Sequence, residues 1–158
     1  MIPTFSFIAW SGTGKTTYLE KLIAELKKRE KRVAIIKHDG HRFDIDREGK
    51  DSWRFAQSGA DMVAIADGEK CAIMEYRPTP LGQTLSAVHD VDLVLIEGWH
   101  EEAENAIVLH RAATGKAPKL NPEDCIAAVT DVDLGCSVPQ FPLDDAAPMA
   151  EFLIGRLS

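Results

Sequence analysis

The stretch AWSGTGKTT, residues 9–17, stands directly behind the apolar run Phe5–Ile8 and directly ahead of an amphipathic segment. Gly12 and Gly14 leave the backbone free to turn through φ > 0 and to approach a ligand closely. Beyond the loop, Tyr18, Leu19, Leu22, Ile23 and Leu26 recur at the spacing of one helical face. A loop that joins a strand to a helix in this way brings unpaired N–H groups and the positive end of the helix dipole to one point, which is an anion site. Lys15 adds a charge where a β- or γ-phosphate lies, and the Thr16 hydroxyl is placed for the magnesium ion of a nucleoside triphosphate. The phosphate cradle therefore runs over Ser11, Gly12, Thr13, Gly14, Lys15, Thr16 and Thr17. Ala9 stands where the GxxxxGK[ST] pattern has its first glycine, the least demanding position.

With 158 residues the chain is read as a single domain, 1–158, with a core large enough to need no covalent staple. Cys71, Cys125 and Cys136 are odd in number and lack CxxC spacing, so they read as reduced thiols of a cytoplasmic protein. A net charge of −7 argues against holding nucleic acid by phosphate neutralisation. The basic cluster Lys27–Arg32 falls at the end of the first helix, where cations complement the dipole. No apolar run approaches the roughly 20 residues that span a bilayer.

Continuous apolar runs at 33–36, 62–66, 93–96, 106–109 and 126–129 have the character of strands buried on both faces. With helical segments between several of them, they predict an α/β fold: a P-loop NTPase-like, doubly wound, mostly parallel sheet flanked by helices. Residues 69–80 are expected to form an extended, hairpin-like excursion, and the proline-bearing stretches 77–81 and 139–148 to be connections. In such a sheet the ligand lies at the C-terminal ends of the strands.

Residues 37–54 combine two histidines with five carboxylates. His38 and His41 with Asp39, Asp44 and Asp46 offer ligands to zinc. The simpler reading gives Asp39, just past a strand end, to the magnesium ion, with Asp46 second. Lys37 and His38 join the nucleotide-binding residues. Ser52 is expected to cap a short helix and Gly59 to stop it. In VDLVLIEGW, residues 91–99, an aliphatic strand delivers Glu97 to its C-terminal end, and Gly98 lets the chain turn beside the nucleotide; Asp92 lies at the far end. Thr16, Asp39 and Glu97 are thus the metal candidates, and Lys15, Asp39 and Glu97 the residues expected to carry any chemistry. Asp131, after the strand at 126–129, can accept from both N1–H and the exocyclic amine of guanine and so select GTP. Asp131 or Asp133 also suits a simple turn.

AWSGTGKTT, KHDGHRFDIDREGKDSWRFAQSGAD, LVLIEGW and AAVTD, in that order, resemble the molybdopterin-guanine dinucleotide biosynthesis adaptor (MobB) family. The resemblance spans nearly the whole chain; Ala9, Trp99 and His100 depart from the family's usual pattern. It implies a GTP-binding, weakly hydrolysing, magnesium-dependent protein that assists the MobA nucleotidyltransferase as GMP is attached to molybdopterin. Molybdopterin itself or molybdoenzyme-maturation proteins are further implied partners. It also implies a homodimer, paired through extended structure to which CAIMEYR, residues 71–77, belongs. Two alternatives share the cradle: a small-molecule kinase, for which only Arg111 is well placed as a lid arginine, and a GTP-dependent binding module without turnover.

Overall fold

The computed structural model describes residues 2–39, 43–99 and 103–157. Along the chain the elements are β1 (Thr4–Ile8), α1 (Lys15–Lys28), β2 (Val33–Lys37), α2 (Asp51–Gln57), β3 (Met62–Ala66), β4 (Cys71–Glu75), α3 (Leu81–Ser86), β5 (Leu93–Glu97), β6 (Ala106–His110), β7 (Ala127–Thr130), β8 (Gln140–Pro142) and α4 (Ala147–Ile154). They fall into two compact units, 1–38 with 88–158, and 39–87.

The larger unit is built on six strands in the order β2-β5-β1-β6-β7-β8, every neighbouring pair parallel. The mostly parallel α/β architecture expected from the apolar runs is the one found. After β1 the chain crosses to one side of the sheet and, from β6 onward, builds the other. The order reverses at β1/β6, and the crevice past the C-terminal ends of those strands is where an open α/β sheet binds its ligand. Phe5 and Phe7 of β1 point to a large core with Leu93, Leu95, Ile107, Leu109 and Val129, closed by Tyr18, Leu19, Leu22 and Leu26 of α1 and by Met149, Ala150 and Leu153 of α4. On the opposite face Ile8, Val108 and Ala128 meet Cys125 and loop residues such as Leu120 and Leu134 in a smaller cluster. Residues 139–148, expected to be a connection, include β8, which pairs with β7 at the sheet edge. Only three residues long and ending in proline, it lacks the length and apolar run that mark a strand.

The basic cluster at the end of α1 is a helix end, as its position predicts: Lys28 and Arg29 each reach Glu25 at 2.6 Å. The helix closes in a Schellman turn, in which Lys31 N–H donates to the Leu26 carbonyl and Glu30 N–H to the Lys27 carbonyl, both at 3.0 Å. This motif forces Glu30 into the left-handed region, φ 58°. A Cβ there is strained by about 1 kcal/mol, which glycine does not suffer. Glu30→Gly is accordingly expected to stabilise the protein by about 0.5–1 kcal/mol and raise its melting midpoint by roughly 2–3 °C. A calorimetric scan showing a lower midpoint would contradict the strain argument.

In the smaller unit, α2 also ends in a Schellman turn, Ala60 N–H to the Phe55 carbonyl and Gly59 N–H to that of Ala56, so Gly59 is the stop expected of it. Ser52 is not the cap: it lies inside the helix, and its hydroxyl donates to Asp46 Oδ1 at 3.0 Å. Residues 62–66 are not a buried parallel strand either. β3 pairs antiparallel with β4, Ala64 opposite Ile73, so the hairpin spans 62–75 and begins earlier than the expected excursion. Asp67 makes the turn, its Oδ1 accepting from the N–H groups of Glu69 and Lys70. Among the described residues no helix is long and apolar enough to cross a membrane.

Candidate functional site

Gly12 and Gly14 take φ of 83° and 93°, the left-handed conformation that the loop needs at both positions. Between them Thr13 is buried, and both its N–H (3.3 Å) and its hydroxyl (2.8 Å) donate to the Trp10 carbonyl. Thr13 thus folds the loop from inside, while Ser11, Gly12, Thr16 and Thr17 are exposed. Among the described residues the N–H groups of Gly14, Lys15, Thr16 and Thr17 donate to no carbonyl. They open α1, so an anion arriving there meets both unspent donors and the helix dipole.

Glu97 ends β5, and the parallel register sets it beside Phe7 on one side and Lys37 on the other, level with the exit of β1. Its carboxylate is buried and Oε1 receives the Thr16 hydroxyl at 3.1 Å, with Lys15 Nζ at 3.7 Å. A hydroxyl and a carboxylate oxygen held together are the donor set that a hard divalent cation takes in a phosphate site. Burial holds the Lys15 ammonium below its usual pKa; Glu97 opposes the shift, while Lys119 and Lys37 add to it. Asp92, at the other end of β5, binds Arg32 through its N–H at 2.7 Å and its guanidinium at 3.2 Å. It serves the strand start, as expected.

Gly98 is placed by necessity. Its φ is 88°, and a Cβ would stand 2.6 Å from the His38 carbonyl oxygen. His38 N–H donates to the Glu97 carbonyl at 2.8 Å, and its ring stacks on Trp99 with centroids 4.4 Å apart. Lys37 and His38 are both exposed at the end of β2. Asp39 is exposed and opens the smaller unit. In that unit Asp46 accepts from Ser52 and from Arg47 N–H, a structural arrangement. His41 and His100 lie outside the described residues, and among the described residues no group of three or more His, Cys, Asp or Glu side chains is arranged to hold a metal ion.

Past β7, Asp131 is exposed, and its Oδ1 accepts the Ala112 N–H at 2.8 Å. It lines an open cavity of about 740 Å³ with Lys21, Arg111, Gln140 and Phe141. Asp133, the turn alternative, accepts from Gly135 N–H and the Gln140 amide, so it belongs to the turn. Arg111 follows β6, and its Nε–H donates to the Thr13 carbonyl at 2.9 Å. A Cβ on Gly14 would lie 3.1 Å from its guanidinium. Trp10 donates its indole N–H to the Ala117 carbonyl at 2.9 Å, and the ammonium groups of Lys116 and Lys119 each lie 5.2 Å from its ring centroid. Sequence reading leaves Trp10, Lys116 and Lys119 out of the site. The two lysines of 116–119 and the aromatic inside the loop are visible, but their meeting depends on contacts some hundred residues apart.

The family model for molybdopterin guanine dinucleotide synthesis protein B (MobB) matches residues 4–131. A molybdopterin-guanine dinucleotide biosynthesis adapter protein of Haemophilus influenzae is 38% identical over 156 residues, 96% of this chain and 88% of the relative. The Escherichia coli K12 protein of the same description is 37% identical, covering 98% of this chain and 93% of the relative. Among solved structures, molybdopterin-guanine biosynthesis protein B superposes with a TM-score of 0.74 at 27% identity, covering 98% of both chains. Bacillus subtilis MobB, at 22% identity, shares the fold with a TM-score of 0.77 over 99% of both chains.

Proposed function

The chain belongs to the MobB family, and we propose that it is a GTP-binding adaptor that assists a MobA nucleotidyltransferase in attaching GMP to molybdopterin. The observation that carries this reading is the cradle: unspent N–H groups at the head of α1, Lys15 within it, and Thr16 against Glu97 at 3.1 Å. Nucleotide phosphates would take those N–H groups and Lys15. Magnesium would take Thr16 and Glu97, with Asp39 as a further carboxylate, and supplies charge neutralisation at the phosphates when bound. The whole chain, 1–158, then acts as one cytoplasmic GTP-binding domain with weak hydrolysis at most.

Guanine selection falls to Asp131. The Ala112 N–H fixes one of its oxygens at the mouth of the cavity past β7, where Phe141 offers an apolar wall. Pairing of two copies falls to the hairpin. Met62, Ile65 and Ile73 are more than half exposed there. The pairs Ala64–Ile73 and Ala66–Cys71 place Ala64, Ala66, Cys71 and Ile73 on one face. An exposed apolar face on a two-stranded ribbon is what a second copy covers.

The test is reconstitution with MobA, molybdopterin, GTP and magnesium. At limiting GTP the protein is expected to raise the yield of guanine dinucleotide cofactor, and the same protein with Lys15→Ala is not. No enhancement, with no detectable complex between the two proteins, would refute the adaptor reading.

A further inference from the structure

After β6 the chain makes a largely exposed turn, 111–117, that packs into neither apolar core. The turn is closed on itself. The Arg111 carbonyl accepts from the Thr114 N–H at 3.1 Å and from its hydroxyl at 2.8 Å, and Gly115 follows in the left-handed region at φ 66°. Among the described residues, three side-chain hydrogen bonds lead out of it. Two run to the phosphate loop: Arg111 Nε–H donates to the Thr13 carbonyl, and the Trp10 indole N–H to the Ala117 carbonyl, both at 2.9 Å. The third joins the turn to the cavity past β7, where Ala112 N–H donates to Asp131 Oδ1 at 2.8 Å.

Arg111 and Ala112 are neighbours, so a single peptide unit separates a bond to the phosphate loop from a bond to the carboxylate at the cavity. On the loop side the Arg111 guanidinium lies against Gly14, with Nη2 3.1 Å and both Cζ and Nε 3.9 Å from where a Cβ would stand. On the cavity side Asp131 is exposed, and among the described residues Ala112 N–H is the one hydrogen-bond donor to its carboxylate. A nucleotide joins its base to its phosphates covalently, so a site that reads both ends needs its two sets of contacts a fixed distance apart. Hydrogen bonds hold over a range of about 2.7–3.2 Å, and a displacement of about 1 Å loses one. A phosphate chain without a base makes no such demand.

Resting on the guanine reading of Asp131 above, we propose that Arg111 is a positioning residue for guanine selection. It acts through the turn, from Thr13 and Gly14 to Ala112 and on to Asp131, and sets the carboxylate at the distance from the cradle that a guanine nucleotide requires. Arginine suits this role better than lysine, because its planar fork rests on the Gly14 backbone while Nε–H donates to Thr13.

The experiment is equilibrium competition on the full chain with GTP, ATP and inorganic tripolyphosphate as probes, each with magnesium. The variants are Arg111→Ala, Asp131→Asn and the two combined; asparagine keeps an acceptor for Ala112 N–H. The readout is the ratio of GTP to ATP affinity. Each single variant is expected to lower that ratio about tenfold, and the double variant no more than about twofold below either, because both remove the same contact. Arg111→Ala is expected to hold tripolyphosphate within about threefold of the parent, since phosphates alone need only the cradle. A ratio unchanged within about twofold in Arg111→Ala, or losses that multiply in the double variant, overturns the proposal and leaves the Asp131 reading standing. So does a tripolyphosphate loss as large as the GTP loss, which would make Arg111 a phosphate contact or a general support of the loop. If Arg111→Ala does not fold, Arg111→Lys, which keeps the charge and loses the fork, is judged by the same ratio and limits. A parent that binds GTP and ATP equally, or binds neither, overturns the Asp131 reading and the proposal together.

Discussion

Lys15→Ala is expected to remove nucleotide binding while leaving a folded protein. Charge-assisted bonds to phosphate are each worth about 1.5–3 kcal/mol, and in the proposed site Lys15 would meet the phosphates that carry most of the nucleotide's charge. A loss of roughly a hundredfold or more in GTP affinity follows from the two such bonds that an ammonium readily makes. The folded chain without nucleotide is not indifferent to the change, as a solvent-facing lysine would be. Lys15 is only 16% exposed and sits 3.7 Å from a Glu97 side chain that is 11% exposed. Among the described residues its removal leaves Glu97 with the Thr16 hydroxyl, at a cost of about 1 kcal/mol, well short of unfolding. Thermal shift with magnesium and GTP is the measurement. At a ligand concentration near 100 Kd of the parent, the parent gains about 2.7 kcal/mol, hence roughly 5–10 °C, and a variant weakened a hundredfold or more gains about 0.4 kcal/mol at most, roughly 1–2 °C. An equal gain in the variant would mean that Lys15 is not the phosphate lysine. Circular dichroism without ligand checks that the fold survives.

The parts of the site legible in the sequence are those in which one short segment carries the whole physical argument. Gly12, Gly14, Lys15 and Thr16 announce a cradle because strand, turn and helix are contiguous. Glu97 is legible because the four apolar residues 93–96 must place the next polar one at a strand end. Where the decisive contact is distant, the letters are ambiguous. MVAIA at 62–66 reads as a buried strand because a continuous apolar run does not name its partner. Asp67–Gly68 between two β-prone runs is the signal that points to a hairpin instead. Ser52 has the chemistry of a cap, but Asp46 offers a carboxylate acceptor and the helix starts one residue earlier. Trp10 lies inside the recognised motif, yet its side chain acts through Ala117, Lys116 and Lys119, which nothing local connects to it. Arg111 is legible only as a cation after a strand; that it braces the Thr13 carbonyl is a product of the β1–β6 register, with Phe7 opposite Ile107.

Gly98→Ala is expected to cause the largest loss of stability of any single methyl added to the larger unit, and to damage the site through its geometry rather than its chemistry. Two costs add. The left-handed conformation at φ 88° strains any residue with a Cβ by about 1–2 kcal/mol. The new methyl would also stand 2.6 Å from the His38 carbonyl oxygen, and that obstacle is backbone, so one strand end must move. Shifting packed backbone costs about 1–3 kcal/mol more. The sum, about 3 kcal/mol, lowers the melting midpoint by roughly 6–12 °C. Gly115→Ala is the control. It too takes a positive φ, 66°, but has nothing within 4 Å of the added Cβ, so it isolates the strain at about 1 kcal/mol. A midpoint drop of equal size in the two variants would show that close approach is not what position 98 requires. The difference between them should reappear in function, because the strand end that moves carries both the Glu97 carbonyl, bonded to His38 N–H at 2.8 Å, and the carboxylate bonded to Thr16. Gly98→Ala is therefore expected to need more magnesium than the parent to bind GTP half-maximally, and Gly115→Ala is not. The glycine after the strand then acts as a spacer that lets β2 and β5 close far enough for Glu97 to meet the head of α1.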